Sequence, residues 1–409
     1  MIAPSAGEVI IERRDLAPFA TPKEMASLPR HRWFFYPHSF APGLVEAILD
    51  HWDLPSGSPL LDPFVGAGTT LVVARDRGIS AFGVDISPLS VLVSNVKARE
   101  YDPSDLHDAL DGVLHAALGM GPEISNESPR LRRAFTRVEL MKLISLRSAI
   151  NSQPALIRDF LMVALLNTAR PFSRAVANGG WFRWVSKPGR ARDIVPAFKA
   201  ATNLMIADVG ASHPARADMI VSAELGDART CVLSGQAFAG ALTSPPYPNR
   251  HDYTRVFHIE LLLMGKTEDE ILELRHRSMR SHVEANDHSL PALDFPIPDE
   301  LDRVLKSWPD GIDRRVPKMI SGYFEDLFRT IINLQSMLGR GGRAAFVLGN
   351  VQHAGVAVPV DACFAQIAAA SNMEHVGTWV VRQRGNSAQQ MMTYGRNPSR
   401  ESIVLLRKP

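Results

Sequence analysis

With 409 residues, of which 45% are hydrophobic and 22% charged, the chain has apolar mass for one large α/β domain with insertions, or for two to three domains, and is not a disordered polymer. A formal net charge of +2 excludes nucleic-acid binding as an inference from bulk charge, so such contacts have to come from local clusters. No segment reaches the roughly 18 apolar residues of a membrane span, and Cys231 and Cys363 lack CxxC spacing or a His-rich partner tract, so the expectation is a cytoplasmic protein with no membrane contact, disulfide framework or metal.

Residues 1–30 are polar and proline-punctuated, an arm that covers the body or stays loose. An aromatic, proline-broken segment over 31–42 then leads into a helix through Gly43 and Leu49, and core packing accounts for most of those aromatics. Leu60-Leu61-Asp62 is a short apolar strand ending in an acid, followed by a glycine turn and a helix start. Gly66 and Gly68 allow positive φ and close approach of backbone to a ligand, and Thr69 and Thr70 can cap the helix. The turn is not a phosphate loop, because no Gly-Lys-Ser/Thr follows, and it lacks the third glycine of the dinucleotide fingerprint. Asp62 would repel a pyrophosphate but suits a cationic ligand carrying an amino group. The strand 81–86 places Asp85 about twenty positions on, where a Rossmann-like fold holds ribose hydroxyls.

From about 101 to 215 strand alternation stops and helical patterns take over, which predicts a helical insertion into the sheet's connectivity. Its span 170–192 has six cations and no acid, with Trp181, Phe182 and Trp184 interleaved. Basic residues among aromatics suit a phosphate backbone beside an unstacked base, and equally a solvated face with packed tryptophans. Arg183, Lys187 and Arg190, with Arg250 and Arg255 further on, are the candidates for phosphate contact.

The sheet resumes over 219–229, again ending at an acid, Asp227. A small apolar run, 238–242, then breaks into Thr243-Ser244-Pro245-Pro246-Tyr247. Two adjacent prolines cannot donate to a ladder, so this is a strand end turning rigidly outward, with backbone acceptors, a hydroxyl and an aromatic face. That suits a planar amine; taken alone, it also suits a proline turn with a packing tyrosine. Residues 256–264 predict a buried helix, 266–318 a polar insertion, and 323–338 an amphipathic helix. A strand at 343–350, a helix at 360–370 and two closing strands at 376–384 and 401–407 complete the pattern.

Together, Asp62-Pro63-Phe64-Val65-Gly66-Ala67-Gly68-Thr69-Thr70 and Ser244-Pro245-Pro246-Tyr247 resemble the first and catalytic motifs of amino-methylating DNA methyltransferases, which move a methyl group from S-adenosylmethionine to cytosine N4 or adenine N6. Asp85-Ile86-Ser87-Pro88 and Gly226-Asp227-Ala228-Arg229 fit the same family, and the resemblance covers roughly 31–100 and 219–409. It implies an α/β, Rossmann-like methyltransferase fold, with a mostly parallel sheet ending in an antiparallel hairpin. Residues 31–100 and 216–409 would form the two parts of the methyltransferase domain around the insertion.

The resemblance also implies S-adenosylmethionine as cofactor, held by Asp62, Phe64, Gly66, Gly68, Thr69, Asp85 and Asp227. Ser244, Pro245, Pro246 and Tyr247 would be catalytic, with DNA as partner and a cognate restriction enzyme as companion. In the family a segment like 31–42 lines the methionine end of the cofactor. Serine before Pro-Pro-Tyr is more frequent in cytosine-N4 enzymes, so N4-methylcytosine is the favoured product, with adenine N6 or an RNA amine as the alternatives. Methylation at cytosine carbon 5 needs a cysteine in a Pro-Cys setting, whereas Cys231 follows Thr230 and Cys363 follows Ala362.

Overall fold

The structure is a computed structural model that describes residues 9–409 except 38, 56, 179–180, 187–192, 213, 217, 234–236, 287–288, 386–394 and 396–397. Its strands are β1 (Ile10–Glu12), β2 (Leu60–Asp62), β3 (Ala81–Asp85), β4 (Ala175–Asn178), β5 (Trp181–Trp184), β6 (Val221–Leu225), β7 (Phe238–Thr243), β8 (Leu338–Gly349), β9 (Val351–His353), β10 (Val356–Val358), β11 (Glu374–Arg384) and β12 (Ser399–Arg407). Eight of them form one sheet in the order β1-β11-β12-β8-β7-β2-β3-β6. The run from β8 to β6 is parallel, while β12 lies antiparallel to both β8 and β11, giving the closing hairpin expected from the sequence. From β2 the chain winds outward to β3 and β6, then returns to β7 on the other side of β2. The carboxyl ends of β2 and β7 therefore flank a topological switch point, where open α/β sheets bind ligands.

The central strands read as near-continuous apolar runs because helices cover both faces. Alternate residues divide between two cores. Leu60, Ala345, Ile403 and Leu405 pack with helices Pro42–Trp52 and Thr69–Asp76, whereas Leu61, Ala344, Val404 and Leu406 pack with Arg315–Met337 and Val360–Ala370. Helix Arg315–Met337 turns Val316, Met319, Ile320, Tyr323, Leu327, Ile331 and Leu334 inward, the 3–4 spacing of one buried stripe.

A third core belongs to the stretch between β3 and β6. Helices Pro103–Leu118, Arg137–Asn151, Ala155–Ala169 and Ile194–Ala211 pack together and against Trp33, Phe34 and Phe257. Polar groups bolt the 30–34 segment to it: Trp33 Nε1 donates to Asp208 at 2.8 Å, and the buried Lys97 ammonium donates to the Phe34 carbonyl at 3.2 Å. Asn95, on helix Pro88–Ala98, donates to the Ala223 carbonyl and accepts from the Ala223 amide, both at 2.8 Å, along the outer edge of β6.

Three local expectations change. Within the arm, Ile10–Glu12 adds a parallel edge strand to β11, a segment too short for periodicity to reveal. The helix expected over 256–264 is two short helices, Tyr253–Val256 and His258–Leu263, interrupted where the Phe257 ring packs on Tyr36 at 4.6 Å. Thr69 and Thr70 do not cap: Gly68 holds the cap position at φ +76°, and the two hydroxyls donate to the Phe40 carbonyl and to Asp62.

Candidate active site

Four strand ends and two turns build the site. After β2, the chain makes a turn in which Gly66 (φ +48°) and Gly68 (φ +76°) take conformations open to glycine. At Gly68 a Cβ would lie 2.7 Å from the Ser94 Cβ, so this glycine is fixed by helix packing. At Gly66 it would meet nothing closer than 3.8 Å, so that glycine keeps its face open toward Tyr36. The Asp85 carboxylate at the end of β3 accepts from the Gly66 amide (3.0 Å) and the Ser87 amide (2.8 Å), locking the two turns together.

Asp62, which borders the cleft, is largely engaged within the protein. It accepts from Thr70 Oγ1 (2.7 Å), Thr243 Oγ1 (2.7 Å) and the Phe64 amide (3.2 Å), and is buried. Desolvation outweighs these bonds and pushes its pKa up to about 6, and burial does the same for Asp85, also to about 6. Since Thr243 is the last residue of β7, Asp62 ties the glycine turn to the proline turn.

Ser244 and Pro246 open onto the cleft, while Pro245 is buried. The Tyr247 ring lies against Gly349, where a Cβ would be 2.6 Å from its Cε2 atom, and its hydroxyl donates to Glu401 at 2.9 Å. Asp227, after β6, is bound by Arg229 (2.6 Å), which also reaches Asp326 (3.3 Å) and the Arg277 carbonyl (2.6 Å). Arg280 pairs with the same Asp326 at 2.6 Å, and Gly322 leaves room for its side chain, since a Cβ there would be 2.6 Å from the Arg280 Cδ. These contacts draw the 277–282 segment across the cleft, and the Arg250 amide, donating to the Ser281 carbonyl at 3.1 Å, joins it to the proline turn.

The resulting cleft has an empty volume of about 1150 Å³, counting the part open to solvent. Asp62, Phe64, Gly66, Thr69, Asp85, Asp227, Ser244 and Pro246 line it, whereas Gly68, Pro245 and Tyr247 are not among the lining residues. Other lining residues come from elsewhere in the chain: Tyr36, Phe40, Arg229, His251, Tyr253 and His282. Tyr36 and Tyr253 stack at 5.7 Å, and burial holds the His282 imidazole below its ordinary pKa and thus neutral. Carboxylates, hydroxyls and aromatic faces around an open glycine suit a cationic ligand with hydroxyl and amino groups, which is the chemistry of S-adenosylmethionine.

The basic candidates are scattered. Arg183 and Arg250 are exposed, but Arg255 is matched within the fold by Asp252 (3.2 Å) and Glu284 (3.0 Å). Lys187 and Arg190 lie outside the described residues. Of the remaining cations in that span, Arg170 pairs with Glu260 at 2.9 Å and Arg174 with Glu139 at 3.7 Å, while Trp184 lies beneath the Arg133 guanidinium at 4.1 Å. Neither cysteine lines the cleft.

No family model matches the chain. Among curated proteins it is similar to the Type II methyltransferase M.AvaI from Nostoc sp., at 27% identity over 94% of this chain and 87% of that protein. It is also similar to the Type II methyltransferase M.BsoBI from Geobacillus stearothermophilus, at 25% identity over 93% and 86%. Among solved structures, the rRNA methyltransferase aviRa from Streptomyces viridochromogenes is similar at 13% identity and a TM-score of 0.32, covering 97% of this chain and 94% of that one. The chain is thus similar over nearly its whole length to Type II methyltransferases, and both motifs lie at the switch point of its sheet, an arrangement that fits S-adenosylmethionine as methyl donor.

Proposed function

We propose that the chain methylates the exocyclic amine of a base flipped out of DNA, with cytosine N4 as the target. The observation that carries this is that Ser244 and Pro246 open onto the same cleft as the glycine turn and Asp85. The cofactor supplies an electrophilic methyl group on sulfur. Gly66 would give its backbone room, Asp85 would accept from the ribose hydroxyls, and Asp227 with Arg229 would hold the adenine end. Asp62 acts from behind, holding the glycine turn and the start of the proline turn at one fixed separation.

An exocyclic amine is a poor nucleophile because its lone pair is delocalised into the ring. Acceptors at Ser244 and the Pro245 carbonyl would accept hydrogen bonds from it and favour a pyramidal nitrogen, the two prolines keeping those acceptors rigid; as the N–CH3 bond forms and the S–CH3 bond breaks, one amine proton leaves to solvent. Tyr247 stacks on the base, which must leave the duplex because its target atom is otherwise out of reach. Exposed Arg183 and Arg250 contact phosphates. No covalent intermediate is needed.

Serine at position 244 supports cytosine N4 over adenine N6, through the family preference only, since cytosine N3 and adenine N1 stand in the same relation to their amines. A restriction enzyme of matching specificity is the companion this reading expects. Mass spectrometry of nucleosides from DNA of a host expressing the chain tests the target: N4-methylcytosine is expected, and N6-methyladenine alone would overturn the base while leaving the turn's role intact. Methylation confined to RNA, with DNA offered alongside, would overturn the substrate.

A further inference from the structure

We infer that Glu401 is a positioning residue for the transfer step, fixing the plane of the Tyr247 ring through its hydroxyl. This rests on the proposed function above, in which Tyr247 meets the target base. Three adjacent strands supply one row: Gly349 on β8 pairs in register with Glu401 on β12, which pairs with Arg382 on β11. The Tyr247 ring spans the first two members of that row. Gly349 lacks the Cβ that would strike the ring edge, so the ring settles onto backbone, and the Tyr247 hydroxyl donates to Glu401 Oε1 at 2.9 Å.

The acceptor is itself held. Glu401 has a side chain 5% exposed, and its Oε2 accepts from Arg382 Nε, so the carboxylate is held against swinging away. A tyrosine on a rigid proline turn has two torsions left to set its ring; the glycine floor restricts one and the hydroxyl bond the other. The consequence is a ring fixed before a base arrives, which lowers the ordering cost of stacking in the transfer step. Glu401 lies outside the residues lining the cofactor cleft, so its effect should reach the base and not the cofactor.

The test is a double-mutant cycle on the full chain, reading labelled methyl transfer from S-adenosylmethionine to unmodified DNA amplified from a bacterial genome. Tyr247→Phe and Glu401→Ala should each lower kcat by roughly tenfold to a hundredfold, the range for a hydrogen bond to a charged group, with the KM for S-adenosylmethionine within about twofold. Glu401→Gln should recover most of the rate, because its amide oxygen still accepts. The Tyr247→Phe/Glu401→Ala pair should be no slower than the slower single variant. Losses that multiply, KM rising with falling kcat, or Tyr247→Phe at the parental kcat would overturn the proposal. Should Glu401→Ala not fold, the test rests on Tyr247→Phe with lowered kcat at an unchanged KM for S-adenosylmethionine and on Glu401→Gln near the parental rate; a parental kcat in Tyr247→Phe, or a Glu401→Gln as slow as Tyr247→Phe, would overturn the proposal. Parental rates in both Tyr247→Phe and Tyr247→Ala would remove base stacking itself, and a parent chain that methylates no DNA would remove the function and this role together.

Discussion

Thr243 donates to Asp62 at 2.7 Å, and through that bond the last residue of β7 is held to the last residue of β2. The two turns that carry the chemistry, one rich in glycine and one in proline, are thus set by a single buried carboxylate. Thr243→Val keeps the volume and removes the donor. It should lower stability by about 2 kcal/mol, the range for a bond to a charged acceptor, and reduce kcat more than cofactor affinity. Thermal melting together with steady-state kinetics checks this, and a variant matching the parent in both would show the bond to be dispensable.

Asp62 and Asp85 should make cofactor binding pH-dependent. Each carboxylate is pushed up to about 6 from an ordinary 3.8 by burial. Since the folded pKa lies above the unfolded value, the folded protein keeps these protons longer. The stability this confers is complete below about pH 4 and is lost as pH rises through 6. A cationic ligand favours the ionised form, so S-adenosylmethionine affinity should rise between pH 5 and 7 with release of protons. Calorimetry in two buffers of different ionisation enthalpy measures that release, and Asp62→Asn should reduce both the release and the pH slope of stability.

At Gly68 two constraints coincide, a φ of +76° and a neighbour, Ser94, 2.7 Å from where a Cβ would sit. Gly68→Ala should cost about 1–3 kcal/mol, and Gly68→Val more, with cofactor binding abolished in the valine variant. Melting temperature and calorimetric titration give the two readouts.

Arg280 bridges the cleft's outer segment to helix Arg315–Met337 by way of Asp326, which is fully buried. Removing it leaves that carboxylate with Arg229 and the backbone amide of residue 280, which donates to it at 2.8 Å, so Arg280→Ala should destabilise by about 3 kcal/mol and weaken cofactor binding as the 277–282 segment loosens. Gly322→Ala should act in the same direction and less strongly, by displacing the guanidinium arm. Cofactor affinity unchanged in both variants would mean that the segment does not close over the ligand.

Cations of the 170–192 span should divide by function. Neutralising Arg183 together with Lys187 and Arg190 should flatten the dependence of DNA affinity on salt, by about 0.9 in the logarithmic slope for each phosphate that the variant leaves unneutralised. Arg170→Ala should instead lower stability, because Arg170 joins Glu260 and the Phe35 carbonyl inside the fold. Equal slopes for the triple variant and the parent would remove the span from the DNA interface.

The strand ends at β2 and β7 were legible because a parallel strand buried on both faces leaves an unbroken apolar run, and these two stop at an acid and before a proline pair, while β3 and the edge strand β6 were read from the acids that follow them. Asp62, Asp85 and Asp227 could therefore be assigned to one crevice. What the spacing could not carry was how far each carboxylate is spent within the protein: the partners of Asp62 lie 8 and 181 residues away, and Asp227 is taken by Arg229. The wall formed by Tyr36, Tyr253 and His282 joins distant segments through packing, which leaves no local period. Phe257 divides a helix whose apolar pattern is continuous, because the ring is drawn toward Tyr36 and Phe34. Charge counting could not separate Arg183 from Arg170, since the acid that matches Arg170 is 90 residues on.

The Asn95 amide, bonded through both its oxygen and its nitrogen to Ala223, imitates one residue of a neighbouring strand at an otherwise open border of the sheet. An intruding chain has to strip that amide away before it can zip onto β6. Unpaired strand borders are where chains add to one another, so Asn95→Ala should leave the Ala223 amide and carbonyl open to such pairing, which light scattering on the variant and the parent would compare.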